Sequence, residues 1–135
     1  MKKKGLSKRE RIVSRRLIEQ LFENGHSHSL TVFPLRAVYQ VFDSSKEYPA
    51  QILVSVSKRH FKHAVDRNHV KRQIREAYRL NKQILDIQIH QGRQLAIAFI
   101  WMSDELMPST RVTYSVTSIL KKIGERLQQS VTSVT

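Results

Sequence analysis

Apolar residues recur along this chain with two periods, and the switch between them predicts its elements. Leu17, Ile18, Leu21 and Phe22 fall at i, i+1, i+4 and i+5. That is one stripe of a helix, which Ser14 can cap and Asn24-Gly25 can end. After a polar turn, His26 to Ser29, the period drops to two. From Thr31 to Phe42, Phe33, Leu35, Ala37, Tyr39 and Val41 share one face, with Arg36 and Gln40 on the other. This predicts one strand, with Pro34 at its start or on an edge. Asp43 to Lys46 is a turn cluster. Ile52 to Ser57 predicts a second strand, with Ile52, Val54 and Val56 opposed to Leu53, Ser55 and Ser57. Gln91-Gly92 turns the chain into LAIAFIW, Leu95 to Trp101, which is apolar on both faces and therefore central in its sheet. Past Pro108-Ser109, Val112, Val116, Ile119, Leu120, Ile123 and Leu127 form the apolar face of a helix from about Thr110 to Gln129. Lys121, Lys122, Glu125 and Arg126 point outward from it.

The stretch DRNHVKRQIREAYRLNK, Asp66 to Lys82, has helical period but an unusual polar side. At about 100° per residue, Arg67, Asn68, Lys71, Arg72, Arg75, Arg79 and Lys82 fall within an arc of roughly 140°. Val70, Ile74 and Ala77 lie on another side, Tyr78 sits at the border, and Glu76 is outside the arc. Neighbouring like charges on a helix repel, so a face of one sign calls for a polyanion to neutralise it.

The order helix, strands, helix, strand, helix implies an α+β fold, a single-domain α/β sandwich. It divides into a basic arm at 1–13, the packed domain at 14–129 and a frayed tail at 130–135. A parallel βαβ crossover through the cationic helix is open, and the usual preference would make it right-handed.

Charge sharpens this picture. The 135 residues carry 24 Lys plus Arg against 11 Asp plus Glu, a net charge of +13 that points to a phosphate-rich partner or an anionic membrane surface. With 40% apolar residues the chain still buries a core. It has no Cys, which excludes disulfides and thiolate metal sites and fits a reducing cytoplasm. No apolar run approaches the roughly 20 residues of a spanning helix, and Lys8, Arg9, Arg11, Arg15 and Arg16 interrupt any signal-peptide core. No membrane is expected.

Catalytic groups do not assemble. Gly5, Gly25, Gly92 and Gly124 are scattered, so no phosphate-cradling loop exists. The acids stand in separate segments, and the pair Asp104-Glu105 falls in a loop, whereas a two-metal nuclease needs converging carboxylates. His26-x-His28 and His60-x-x-His63 each offer two ligands where metal sites want three or four; they read as surface histidines. If the chain takes part in hydrolysis, another molecule supplies the catalyst.

Three features carry a binding function. The cationic helix is the first, and Asn68 on it could bond a phosphate, a 2′-hydroxyl or a hydrated metal, or simply cap the helix. In VSVSKR, Ser55 and Ser57 present small hydroxyls beside Lys58 and Arg59, leaving room for a backbone to approach. Phe22, Tyr39 and Tyr78 are stacking candidates; at such spacing aromatics are commonly core, and Tyr78, bordering the basic arc, is the better placed to stack.

VSVSKR, a short basic linker and AVDRNHVKRQIREAYR together resemble the signature of the bacterial ribonuclease P protein component. The likeness extends to the preceding LFENG, to LAIAFIW and to the final helix. It implies a fold of three helices on a four-stranded mixed sheet with a left-handed crossover. It also implies the small subunit of a ribonucleoprotein that removes the 5′ leader of precursor tRNA. In that assembly catalysis belongs to the RNA subunit and the Mg²⁺ it binds, no cofactor is intrinsic to the protein, and one protein pairs with one RNA. By the resemblance Arg67, Asn68, His69, Lys71, Arg72, Arg75 and Arg79 face the catalytic RNA. Ile18, Phe22, Arg36, Ser55, Ser57, Lys58 and Arg59 line a groove for the leader. His69 stands where the family has an Arg, so that phosphate contact is absent or pH-dependent. Ile18 and Arg36 replace common aromatics, and Arg36 substitutes charge or guanidinium stacking. The rival functions are a stand-alone RNA-binding module such as a ribosomal protein, and a self-sufficient metal nuclease.

Overall fold

In a computed structural model of the protein, residues 18–19, 21–22, 27–43, 50–86 and 93–134 are described. The elements are β1 (His28–Val32), β2 (Leu35–Asp43), β3 (Ala50–Ser55), α1 (Ala64–Asn81), α2 (Gln83–Asp86), β4 (Arg93–Trp101) and α3 (Ser109–Val134). Residues 18–19 and 21–22 are also helical. The basic arm, the Ser14 cap, the Asn24-Gly25 helix end and the Gln91-Gly92 turn lie outside the described residues.

The strands form one mixed sheet in the order β1-β2-β4-β3. β2 is antiparallel to both β1 and β4, while β3 runs parallel to β4, so α1 sits within a parallel crossover. The sandwich and the mixed four-stranded sheet are as expected, and β4 is central because both its faces are apolar.

The single strand expected over Thr31 to Phe42 is instead a hairpin. The chain reverses at Phe33-Pro34, whose peptide bond is cis, and β1 begins at His28, inside the segment expected to be a turn. Phe33 therefore leaves the apolar face assigned to it and is exposed. β3 ends at Ser55, two residues before its expected end. α3 continues to Val134, past the expected end near Gln129.

The main core lies between one sheet face and the helices α1 and α3. Leu35, Ala37 and Tyr39 of β2, Ile52 and Val54 of β3, and Leu95, Ile97, Phe99 and Trp101 of β4 meet Val70, Ile74 and Ala77 of α1 and Val112, Val116, Ile119, Leu120 and Ile123 of α3. Tyr78 belongs to this core, 6.3 Å from Phe99 between ring centroids, and not to the basic border. The other sheet face holds a smaller cluster. Leu21 packs on Val38, Ala96 and Ala98, flanked by Ile18, Leu53 and Ile100. The alanines on this side of β4 leave the depth that a leucine fills, which seats the N-terminal helical residues on the sheet.

Candidate nucleic-acid interface

α1 sets its cations by the geometry of its buried side. With Val70, Ile74, Ala77 and Tyr78 in the core, Asn68 and Arg72 are exposed and Arg67, Lys71, Arg75 and Arg79 are half-buried along one flank. Gln73 marks the opposite flank, where its Nε2 donates to the Met107 carbonyl and Ser109 Oγ at the start of α3. The basic arc thus turns away from α3. His69 is exposed but lies about 60° beyond Arg72, on the side of Glu76, so the structure does not bring it into the arc. The helix is capped by His63 without a side-chain bond, which removes the capping role for Asn68. Because α1 starts at Ala64, Asp66 falls in its first turn, where an acid suits the helix dipole.

Arg67 and Arg79 have work within the protein. Arg67 Nη1 donates to the carbonyls of Phe61, at 2.8 Å, and Lys62, at 3.0 Å. Arg79 forms a two-pronged contact with Glu76: Nε to Oε1 at 2.8 Å and Nη2 to Oε2 at 2.6 Å. That hydrogen bond holds the Glu76 carboxyl below its usual range and raises the Arg79 guanidinium above its own. The pair is solvated, so it adds little to stability, yet it sets one acid against the cation that would meet a phosphate. Glu76→Gln is expected to tighten RNA binding several-fold at low salt and to steepen the salt dependence by up to about one unit of slope. Equal salt slopes for both proteins would show that Arg79 makes no phosphate contact.

The turn between β3 and α1 is fixed at nearly every residue. Ser57 Oγ accepts the Arg59 amide at 3.0 Å, and the Ser57 carbonyl accepts the amides of His60 and Phe61. The ring of Phe61 is buried 6.4 Å from Trp101. His60 Nδ1 meets Asp104 Oδ1 at 2.7 Å, and Arg67 holds the following carbonyls. Ser57 therefore shares no strand face with Ser55; its hydroxyl shapes the turn that leaves Lys58 and Arg59 exposed. Asp104, in the loop where the sequence places it, anchors His60. Among the described residues no group of three or more His, Cys, Asp or Glu could hold a metal. His28 stacks 5.5 Å from Tyr39, and His26 lies outside the described residues.

The sheet register assembles residues expected to line a groove. Thr31 pairs with Arg36, Arg36 with Ile100, and Ile100 with Ser55, one row across all four strands on the face away from α1 and α3. Arg36 and Ser55 are exposed and Ile100 is half-buried. Two strand spacings, about 10 Å, separate Arg36 from Ser55. The next row, Val38, Ala98 and Leu53, lies under Leu21. Ile18 is half-buried beside it, and Phe22 is 49% exposed, not core. Of the three stacking candidates only Phe22 is open; Tyr39 is buried with its hydroxyl on Arg126 Nη1 at 3.1 Å. Thr31 and Ile100 were not legible as site residues, because register pairs positions far apart in sequence.

The family model described as Ribonuclease P matches residues 6–124. A protein of Porphyromonas gingivalis named ribonuclease P protein component is 41% identical over 128 residues, covering 93% of this chain and 91% of that protein. One of Chlorobium phaeobacteroides with the same name is 38% identical over 104 residues, covering 70% and 71%. Among solved structures, the RNase P protein from Thermotoga maritima superposes with a TM-score of 0.65 at 23% identity, covering 84% of this chain and 96% of that one. An RNase P protein of Staphylococcus aureus gives 0.62 at 19% identity, covering 84% and 94%. These two likenesses speak for the fold.

Proposed function

The chain belongs to the ribonuclease P protein family, and from that premise we propose that it binds the catalytic RNA of ribonuclease P and the 5′ leader of precursor tRNA, one protein to one RNA, in the cytoplasm. The observation that carries this reading is the continuity of the open sheet row, the basic turn and the cationic helix. Ser55 ends β3, the Lys58-Arg59 turn follows it directly, and Arg67 ties that turn to the cationic helix. One path runs from an open sheet row to a basic flank, with Arg36 at one end and Arg72 and Arg75 at the other.

The path suits two ribose-phosphate chains. Phosphate oxygens fit the planar forks of the α1 arginines. A leader strand fits the row of Arg36, Ile100 and Ser55, where a small hydroxyl lets a backbone approach and Phe22 offers a face for a base. The protein's contribution is to screen the repulsion between the two RNAs, so that the substrate and Mg²⁺ bind more tightly. The described residues do not fit a protein-held metal, having no carboxylate cluster, and the ions are assigned to the RNA, as is bond breaking.

The test is reconstitution. Protein mixed with the cognate RNase P RNA and precursor tRNA is expected to speed leader cleavage most at low Mg²⁺, with the protein alone inactive. With about six phosphates neutralised, log affinity for the RNA falls against log salt with a slope of roughly −4 to −5. RNA binding without any effect on cleavage would leave a stand-alone RNA-binding protein; cleavage by the protein alone would make it a nuclease.

A further inference from the structure

Two aromatic rings lie open to solvent where β1 turns into β2 and α3 begins. Phe33 is 49% exposed and Tyr114 58%, and an arginine joins them. Arg111 Nη2 donates to the Phe33 carbonyl at 2.9 Å, while its guanidinium carbon sits 5.8 Å from the centroid of the Tyr114 ring. The buried Ser115 donates its Oγ to the same carbonyl at 3.0 Å, so two residues of α3 hold the turn in place. Isolated exposed apolar residues are ordinary. Two exposed aromatic residues that contact one guanidinium, Phe33 through its carbonyl and Tyr114 through its ring, are a different matter, because base stacking and cation–π attraction act on the same planar ligand.

Charge decides which ligand that is. Among the described residues no carboxylate pairs with Arg111. The exposed side of α3 continues with Lys121, Lys122 and Arg126, and Glu125 is the one acid in the helix. A second copy of a chain carrying +13 would be repelled from this face. An RNA offers phosphates to the cations and bases to the rings. We propose that Phe33, Arg111 and Tyr114 form a stacking site for an unpaired nucleotide of the RNase P RNA. This rests on the subunit role argued above. The site is distinct from the other two surfaces: α3 covers the sheet face opposite the Arg36 row. The basic arc of α1 also lies on the flank away from Gln73, which touches α3.

A Tyr114→Trp variant of the full chain tests it, since the native Trp101 is buried and the new indole is the exposed reporter. Titration with RNase P RNA alone, without precursor tRNA, is expected to quench its emission. Phe33→Ala with Tyr114→Ala is expected to weaken binding of that RNA by roughly five-fold to a hundred-fold. The salt slope stays unchanged, because no charge is removed. If wild type binds with a steep slope while the indole emission does not move and the double variant binds equally well, the stacking site is wrong and the subunit role survives. If wild type does not bind the RNA, both fail. A double variant that alters self-association of the protein alone, with RNA affinity intact, assigns the patch to a second copy and overturns the proposal.

Discussion

Lys71→Ala combined with Arg72→Ala is expected to cut the salt slope of RNA binding by roughly 1.5 to 2 units. The gap in affinity between wild type and variant then widens by about tenfold as salt falls from about 200 to about 50 mM. The choice of this pair follows from where the cations sit. Arg72 is exposed and Lys71 half-buried on the basic flank. Among the described residues neither has a carboxylate partner. Alanine is the better helix former, and its introduction relieves repulsion between neighbouring cations. The thermal transition should therefore stay in place or rise slightly. Arg67→Ala is a poorer probe, since it strips the Phe61 and Lys62 carbonyls of their donor and loosens the Lys58-Arg59 turn as well as removing a charge. A folded Lys71/Arg72 variant with an undiminished slope would move the RNA contact off this flank.

Legibility in the sequence followed the range of the interactions. α1 and β4 were readable because each carries its own period and buries its own stripe: the apolar triplet Val70, Ile74, Ala77 and the two-sided LAIAFIW need no partner to be recognised. The hairpin was not, because Phe33-Pro34-Leu35 continues the alternation of its flanks, and only the reversal of the chain reveals Phe33 as exposed. Tyr78 was misplaced for a related reason. It stands at the edge of the helical arc, and the depth of the contact with Phe99 decided that edge in favour of the core. Phe22 went the other way: its stripe predicts burial, yet Leu21 is the residue seated on Ala96 and Ala98, and Phe22 is half exposed. Charge counting found the basic face but could not see that Arg79 is held by Glu76 and Arg67 by backbone carbonyls. The Arg36, Ile100 and Ser55 row arises from strand order, and nothing local to any of the three announces it.

Leu21→Ala is expected to separate leader recognition from attachment to the RNA subunit. Leu21 is 1% exposed and sits on Val38, Ala96 and Ala98, beside the row of the proposed leader path. Truncating such a leucine removes about 2–5 kcal/mol of packing. Here most of that loss falls on the docking of the N-terminal helical residues, because the main core lies on the opposite sheet face and is untouched. Local undocking at a fraction of the global stability is the expected response. In the reconstituted enzyme, preference for precursor over leaderless tRNA should then collapse, while the affinity for RNase P RNA and its salt slope, set by α1, hold. Phe22→Ala supplies the complementary case: with its side chain half exposed, it should spare the melting temperature and still weaken leader binding by the several-fold that one stacked base contributes. Substrate preference lost in both variants, with stability lost in only one, would place the leader against this helix. Preference retained in Leu21→Ala despite a lower melting temperature would make the helix a brace for the sheet and leave the Arg36 row to bind the leader without it.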